Sequence, residues 1–230
     1  MDKNHRPSSL YFHLLGTHQD KDTEIYNEKD SGYFLNISET LSKKYLVLNI
    51  HNHETSEVRI INQEEKNKKL ELIAKRKKCI EYSIEHDREN SRLLILTNKD
   101  DAIDFKLMET NENELSKKNW IDFLPHREGT LITNFSCLAQ YIIVQELENG
   151  LPRIVVINKK NNKKNIIKFD EEIYDLDFNE GYEYETNKIK IYYSSMATPL
   201  LTYDYKLKEQ KKRIIKKQQI PSGPVSYTHL

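Results

Sequence analysis

The sequence predicts an all-β protein: a β-propeller of about four to five blades that form part of a larger, incomplete ring. Apolar, β-branched runs begin at Leu46, Leu93, Tyr141 and Ile189, so successive runs are 47, 48 and 48 residues apart. A unit of about four short strands that recurs every ~40–50 residues is typical of a propeller blade. A β-sandwich does not explain three nearly equal spacings, and no stretch shows the 3.6-residue period of a helical solenoid.

Two strands in each unit follow directly from the pattern. The leading runs are residues 46–48, 93–96, 141–144 and 189–193, and their partners are residues 57–61, 104–108, 153–157 and 200–205. Polar turns at 52–55, 98–101, 148–150 and 197–199 join them as hairpins. Further strands are expected at 33–37, 80–84 and 173–178, and the last of these alternates apolar and acidic residues as a half-buried strand does.

The glycines and the charge balance exclude several classes of function. The chain has 230 residues and six glycines, and the closest two are sixteen residues apart. A dinucleotide-binding G-x-G-x-x-G loop, a P-loop and the G-x-S-x-G nucleophile elbow of serine hydrolases all need closer glycines. With 36 basic and 36 acidic side chains the formal charge is zero, which argues against a protein that coats nucleic acid or an anionic membrane.

The two cysteines and the N-terminus indicate a cytoplasmic protein. Cys79 and Cys137 lie 58 residues apart, and neither has a C-x-x-C partner. We therefore expect no disulfide and no zinc site, and interpret both as buried, reduced core residues. No long apolar run follows the N-terminus, so the sequence predicts neither a signal peptide nor a membrane span.

An ordered set of short motifs resembles the N-terminal propeller of oligopeptidase B, a branch of the prolyl oligopeptidase family of serine peptidases. The set runs from about residue 11 to about residue 222. Its members are TSEVR at 55–59, EYSIEH at 81–86, ILTN at 95–98, LPHRE at 124–128, GLPR at 150–153, YSS at 193–195, TP at 198–199, YDY at 203–205 and QQ at 218–219.

The resemblance implies a seven-bladed propeller that caps a following α/β-hydrolase domain, which carries the catalytic Ser, Asp and His and cleaves short peptides after Arg or Lys. We therefore expect residues 1–222 to be a partial propeller, residues 223–230 to be an unmatched tail, and the hydrolase domain to be absent. His86 is followed by Asp87-Arg88-Glu89 where the family often has His-Gly-Asp, so that turn must differ. Asp104 stands where the family commonly has Asn.

No catalytic, cofactor-binding or metal-binding residue is expected in this chain, and three ionisable residues are the candidate site. His126, Arg127 and Glu128 follow a proline in an expected inter-strand loop, where they are candidates for a contact with the peptidase domain. A local salt bridge on a solvated loop is the favoured reading. Two interpretations are also open for the acidic residues at 170–172, 175 and 177. Either they attract basic peptides, or they simply lie on solvated strand faces.

Three further patterns have simple structural readings. The basic run 206–217 is interpreted as an exposed edge strand protected by lysines, with anion binding as the alternative. His51 and His53 are expected at an exposed hairpin tip, because no third metal ligand follows at a suitable spacing. Cys137 is a weak candidate for a Cys/His pair, and a buried structural thiol is preferred.

The leading functional hypothesis is thus the substrate-gating propeller of an oligopeptidase B-like serine endopeptidase. It implies a covalently following hydrolase domain and short basic peptides as partners, with no nucleic acid, membrane or cofactor. The chain alone is predicted to be inactive. The alternative is a stand-alone β-propeller that serves as a binding scaffold.

Overall fold

The structure is a computed structural model that describes residues 5–220, and the regular secondary structure within them is almost entirely β-strand. The strands are β1 (Ser9–Phe12), β2 (Thr23–Asn27), β3 (Phe34–Glu39), β4 (Tyr45–His51), β5 (Ser56–Asn62), β6 (Leu70–Ala74), β7 (Tyr82–Asp87), β8 (Arg92–Thr97), β9 (Lys106–Asn111), β10 (Ile121–Leu124), β11 (Thr130–Cys137), β12 (Tyr141–Glu148), β13 (Leu151–Asn158), β14 (Lys164–Ile166), β15 (Asp175–Asn179), β16 (Lys188–Ser194), β17 (Leu201–Lys206) and β18 (Lys211–Lys217). Three single-turn 3₁₀ helices lie at Gln19–Lys21, Arg88–Asn90 and Lys117–Asn119.

Sixteen of these strands form four antiparallel sheets of four strands each, in chain order. We call them sheet I (β3–β6), sheet II (β7–β10), sheet III (β11–β14) and sheet IV (β15–β18). β1 and β2 form a separate two-stranded sheet, the N-terminal pair. Consecutive meanders of this kind are propeller blades, so the predicted fold class is confirmed. The predicted boundary at residue 222 and the tail at 223–230 lie outside the described residues.

The hydrophobic core is divided into layers, one between each pair of neighbouring sheets. Separate clusters lie between the N-terminal pair and sheet I, between sheets I and II, between II and III, and between III and IV. Because sheets II and III are covered on both faces, their second strands contain unbroken apolar runs, at 93–96 and 141–144. Leu93 and Ile95 of β8 face sheet I, and Leu94 and Leu96 face sheet III.

Among the described residues, sheet IV is covered on one face, and its sequence shows this. Ile189, Ile191 and Tyr193 of β16 pack against sheet III, whereas Lys188 and Lys190, which alternate with them, are exposed. A strand covered on one side alternates apolar and polar residues, because successive side chains point to opposite faces.

The turns lie at two opposite ends of the sheets. Turns that join first to second strands and third to fourth strands lie at one end, which we call the His86 end. Turns that join second to third strands, and the connections between sheets, lie at the other, which we call the His126 end. Leu41 N–H donates to Glu85 Oε2 (3.4 Å) at the His86 end, and Ser56 N–H donates to Ile80 O (3.1 Å) at the His126 end.

Two expectations about local structure are wrong. Asp104 and Phe105 lie in the turn before β9, which begins at Lys106. Phe105 has a φ of +60°, so it cannot extend the strand. Cys79, expected in the core, is exposed in the connection from β6 to β7, with a φ of +62°. That connection turns sharply at the surface and is rich in lysine, so Cys79 is not drawn into the core.

Candidate functional site

The loop at residues 125–129 joins sheet II to sheet III at the His126 end. The backbone N–H of Asp104 donates to His126 Nε2 (3.3 Å), and Asp104 Oδ2 accepts from the Gly129 N–H (2.9 Å). Gly129 has a φ of +74°, a conformation that glycine adopts without steric cost. The residue whose identity departs from the family pattern, Asp104, therefore holds both parts of this loop.

Arg127 forms a local ion pair with Glu146 of β12. The Glu146 side chain is only 2% exposed, and Arg153 of β13 approaches its second oxygen with Nη2 at 2.7 Å. Two guanidinium groups thus compensate one carboxylate that has been removed from water. The Arg127 side chain is still 44% exposed, and Glu128 beside it is exposed. A contact between these residues and another domain remains a prediction.

The acidic residues at 170–172, 175 and 177 lie at the His126 end or on the exposed face of sheet IV. Asp170, Glu171 and Glu172 belong to the connection from β14 to β15, and Asp175 and Asp177 are exposed on β15. Hydrogen bonds from Ser195 and Thr198 lower the pKa of the Glu171 carboxyl, so Glu171 also holds the β16–β17 turn. The proposed attraction of basic peptides is not tested by this arrangement.

The basic run contains β18, which among residues 5–220 pairs only with β17 and is exposed along its whole length. This confirms the edge-strand interpretation. Lys212 of β18 lies with Nζ 4.0 Å from the centre of the Phe169 ring and donates to Lys168 O (2.6 Å). One lysine of the run therefore packs back onto its own sheet.

The remaining candidates are the histidines His51 and His53 and the cysteine Cys137. His51 and His53 are exposed at the β4–β5 turn, as expected. Across residues 5–220, no three His, Cys, Asp or Glu side chains are arranged to hold a metal ion. Cys137, at the end of β11, is fully buried, and burial raises the pKa of its thiol to about 12, which makes it a poor nucleophile.

A group of polar residues that joins several sheets, His86, Asp87 and Arg88, lies at the end of β7. The side chain of His86 bonds to Ser42 of sheet I, and Asp87 bonds to Lys159 of sheet III. Arg88 donates from its backbone N–H to the Tyr184 hydroxyl (3.1 Å), in the β15–β16 connection of sheet IV. These three consecutive residues of sheet II thus contact all three other four-stranded sheets at the His86 end.

The sequence contained only an indirect signal for this junction. The segment EYSIEH belongs to the resembling motifs, and the turn after His86 departs from the family pattern. In the structure that turn is the 3₁₀ helix Arg88–Asn90, which ends at Ser91 in a left-handed conformation. The pairing of His86 and Asp87 with residues 44 and 72 positions away is long-range, and one sequence does not reveal it.

The family model of the prolyl oligopeptidase N-terminal beta-propeller domain matches residues 1–218. The chain belongs to the prolyl oligopeptidase family. Its resemblance to the oligopeptidase B propeller is also confirmed. Dipeptidyl aminopeptidase BI of Pseudoxanthomonas mexicana is 28% identical over 93% of the chain, and Protease 2 of Moraxella lacunata is 29% identical over 94%.

Solved structures share the propeller fold. Oligopeptidase B of Leishmania major superimposes with a TM-score of 0.87 at 22% identity over 96% of the chain. Oligopeptidase B of Trypanosoma brucei, in a closed form with covalently bound antipain, gives 0.85 at 22% identity over 93%. The chain spans 29% to 32% of the length of these four relatives. No helix within residues 5–220 is long and apolar enough to cross a membrane.

Proposed function

We propose that this propeller restricts access to the active site of a serine-type oligopeptidase of the oligopeptidase B kind. The match to the family propeller over residues 1–218, together with four sheets packed face to face in chain order, carries the proposal. In such an enzyme the ring covers the catalytic centre. Short peptides then reach it, whereas folded proteins are too large to enter.

The chemistry of such an enzyme is acyl transfer. A serine attacks the peptide carbonyl, a histidine takes the proton of the serine and returns it to the leaving amine, and an aspartate orients the histidine. These groups belong to the hydrolase domain that we expect to follow the propeller. The described residues do place Ser42, His86 and Glu112 in a hydrogen-bonded line, but Ser42 and His86 are buried between two sheets, where a peptide carbonyl does not reach the serine. We therefore propose that this chain alone does not cleave peptides.

The direction of the last strand supports a contact at the His126 end. β18 runs from the His86 end toward the His126 end, so a domain that follows it in the chain starts there. The exposed side of Arg127 and the exposed Glu128 lie at that end. The acidic residues at 170–172 lie there too, and they would attract peptides that carry Arg or Lys.

We further propose a cytoplasmic location.

The first experiment measures cleavage of an Arg-containing reporter peptide by the purified chain. We expect no turnover above a buffer control. Turnover that a serine-directed inhibitor abolishes would contradict the proposal.

The reading frame downstream of codon 222 gives a second test. An open frame with a G-x-S-x-G motif supports the peptidase, whereas a stop codon favours a stand-alone binding scaffold.

The predicted interdomain contact has its own test in a protein that carries both domains. Glu128→Ala is expected to leave the free energy of unfolding unchanged and to lower kcat/KM by at least about threefold, as loss of a polar contact across an interface does. Glu89→Ala removes a second exposed carboxylate, at the His86 end, and is the matched control. Equal effects of the two substitutions would exclude a specific contact at Glu128.

A further inference from the structure

His86 of sheet II uses both of its ring nitrogens, one toward sheet I and the other within its own sheet. Its side chain is 0% exposed. Nδ1 lies 2.7 Å from Ser42 Oγ, in the β3–β4 turn of sheet I. Nε2 lies 2.8 Å from Oε2 of Glu112, which follows β9 of sheet II. A hydrogen-bonded line Ser42–His86–Glu112 therefore spans the contact between the two sheets.

The direction of each hydrogen bond follows from the chemistry of the partners. An ionised carboxylate only accepts, so Nε2 of His86 carries the proton and donates to Glu112. Nδ1 of the neutral ring is then an acceptor, and the Ser42 hydroxyl donates to it. Ser42 Oγ in turn lies 3.1 Å from Thr40 Oγ1, which is within reach of the Tyr45 carbonyl oxygen at 3.3 Å.

The charges around His86 oppose a second proton on its ring. Lys44 Nζ lies 2.8 Å from the same Glu112 oxygen, and Arg88 donates to Ser42 O (2.9 Å) and pairs with Glu64 (3.0 Å). The Tyr45 ring packs edge-on against the imidazole at 5.0 Å. Burial lowers the pKa of His86, and Lys44 and Arg88 act in the same direction, against the attraction of Glu112.

We propose that the line Ser42–His86–Glu112 is a proton-sensitive latch that holds sheets I and II together at the His86 end. Protonation reverses the role of Nδ1 from acceptor to donor, so the hydroxyl hydrogen of Ser42 must rotate away and Ser42 Oγ can then only accept from Nδ1. It also adds a third positive charge beside Lys44 and Arg88. Glu112 is the carboxylate that both His86 and Lys44 contact. The contact is therefore weakened by acid.

The opposite end of the same contact is joined by hydrogen bonds between uncharged groups and serves as a hinge. Ser56 N–H donates to Ile80 O (3.1 Å), and the Ser56 hydroxyl donates to Tyr82 O (2.9 Å). These bonds join uncharged groups, so a change of pH leaves them in place. The latch thus acts on one end of the sheet I–II contact.

Amide hydrogen exchange of the full chain tests the latch, because each end has its own reporter. Leu41 N–H donates across the sheets at the His86 end, and Ser56 N–H does so at the His126 end. Between pH 7.5 and pH 5, after correction for intrinsic rates, we expect exchange at Leu41 to accelerate at least about threefold relative to Ser56. An unchanged ratio would overturn the proposal.

Glu85 needs a control because it titrates near the latch and accepts the Leu41 N–H. Glu85→Gln keeps an acceptor oxygen there, and the acid response must persist in this variant. His86→Gln is expected to abolish the response. If the response is lost in Glu85→Gln or retained in His86→Gln, the latch is not His86.

A measurement on the unmodified chain covers the case that His86→Gln does not fold. Nitrogen-15 NMR of the imidazoles is expected to show His86 as the neutral Nε2–H form at pH 7.5, with protonation at lower pH than in the same chain unfolded in urea. Protonation of His86 at the same pH in the folded and the unfolded chain would overturn the proposal. None of these measurements depends on peptidase activity, so they are independent of the proposed function.

Discussion

Lys159 Nζ lies 2.6 Å from Asp87 Oδ1 and joins sheet III to sheet II inside the protein, where the two side chains are 5% and 0% exposed. Asp87 also accepts from Asn90 and Arg92, both at 2.9 Å. Burial by itself raises the pKa of Asp87, but the hydrogen bonds and charge of Lys159, with Asn90 and Arg92, outweigh it and lower the pKa. The carboxylate is therefore ionised and fully paired.

Asp87→Asn is expected to lower the free energy of unfolding by about 3–5 kcal/mol, because it leaves the Lys159 ammonium buried without its counter-charge. Urea unfolding at neutral pH measures this. Asp101→Asn, in an exposed turn, is the matched control and should change stability by less than about 0.5 kcal/mol. A result for Asp87→Asn within that same range would show that the pair does not stabilise the fold.

Tyr82→Phe tests a hydroxyl that fills a β-bulge. In the pairing of β5 with β6 the register shifts after Val58, and the Tyr82 hydroxyl donates to Ala74 O (2.6 Å) and accepts from the N–H groups of Val58 (2.9 Å) and Ala74 (3.2 Å). Losing it leaves buried backbone groups unpaired, so we expect a destabilisation of about 1–3 kcal/mol. Tyr182→Phe, at an 88% exposed side chain, should leave thermal stability unchanged.

Thiol reactivity distinguishes the two cysteines. Cys79 is exposed and Cys137 is buried, and burial raises the pKa of the Cys137 thiol to about 12. A thiol-specific dye at mildly alkaline pH should therefore label Cys79 in the folded chain, and Cys137 only in denaturant. Cys79→Ser should remove the labelling of the folded protein. Rapid labelling of Cys137 in the native state would mean that the contact between sheets II and III opens readily.

Glu85→Gln is expected to raise the free energy of unfolding in a pH-dependent way. Burial raises the pKa of Glu85 to about 7, although the backbone N–H groups of Leu41 and His86 partly oppose this. The unfolded chain loses this proton near its ordinary pKa, so the contribution of Glu85 to stability is present in acid and is lost as the pH rises to 7. Removing the charge should raise the free energy of unfolding by about 1–3 kcal/mol at pH 8 and by little at pH 4. Glu89→Gln, an exposed neighbour, should show no such dependence.

The repeat in the sequence predicted most of the sheet architecture, because the second and third strands of each sheet are buried and apolar. The first strand of sheet III and the fourth strands were less visible. β14 has only three residues, and β10 exposes Ile121 at 61%. Outer strands are half solvated, so their composition resembles that of loops. The turn at Asp104 and Phe105 was missed because phenylalanine rarely adopts the left-handed backbone conformation, and no residue pattern predicts it here.

For the candidate site, the sequence located His126, Arg127 and Glu128 in a loop between sheets. It did not reveal that Glu146 and Asp104 hold this loop. These partners lie 19 and 25 residues away from Arg127 and Gly129, respectively, and only pairing of neighbouring sheets brings them together.

By itself, the sequence determined the strand repeat, the family and the absence of the usual glycine loops of an active site, because these depend on local periodicity and short motifs. The tertiary structure alone decided which polar residues meet. It joined Ser42, His86 and Glu112 between sheets I and II, and Asp87 and Lys159 between sheets II and III. Such contacts form when sheets stack around an axis, so their partners are set by the geometry of the stack and not by neighbours in the chain.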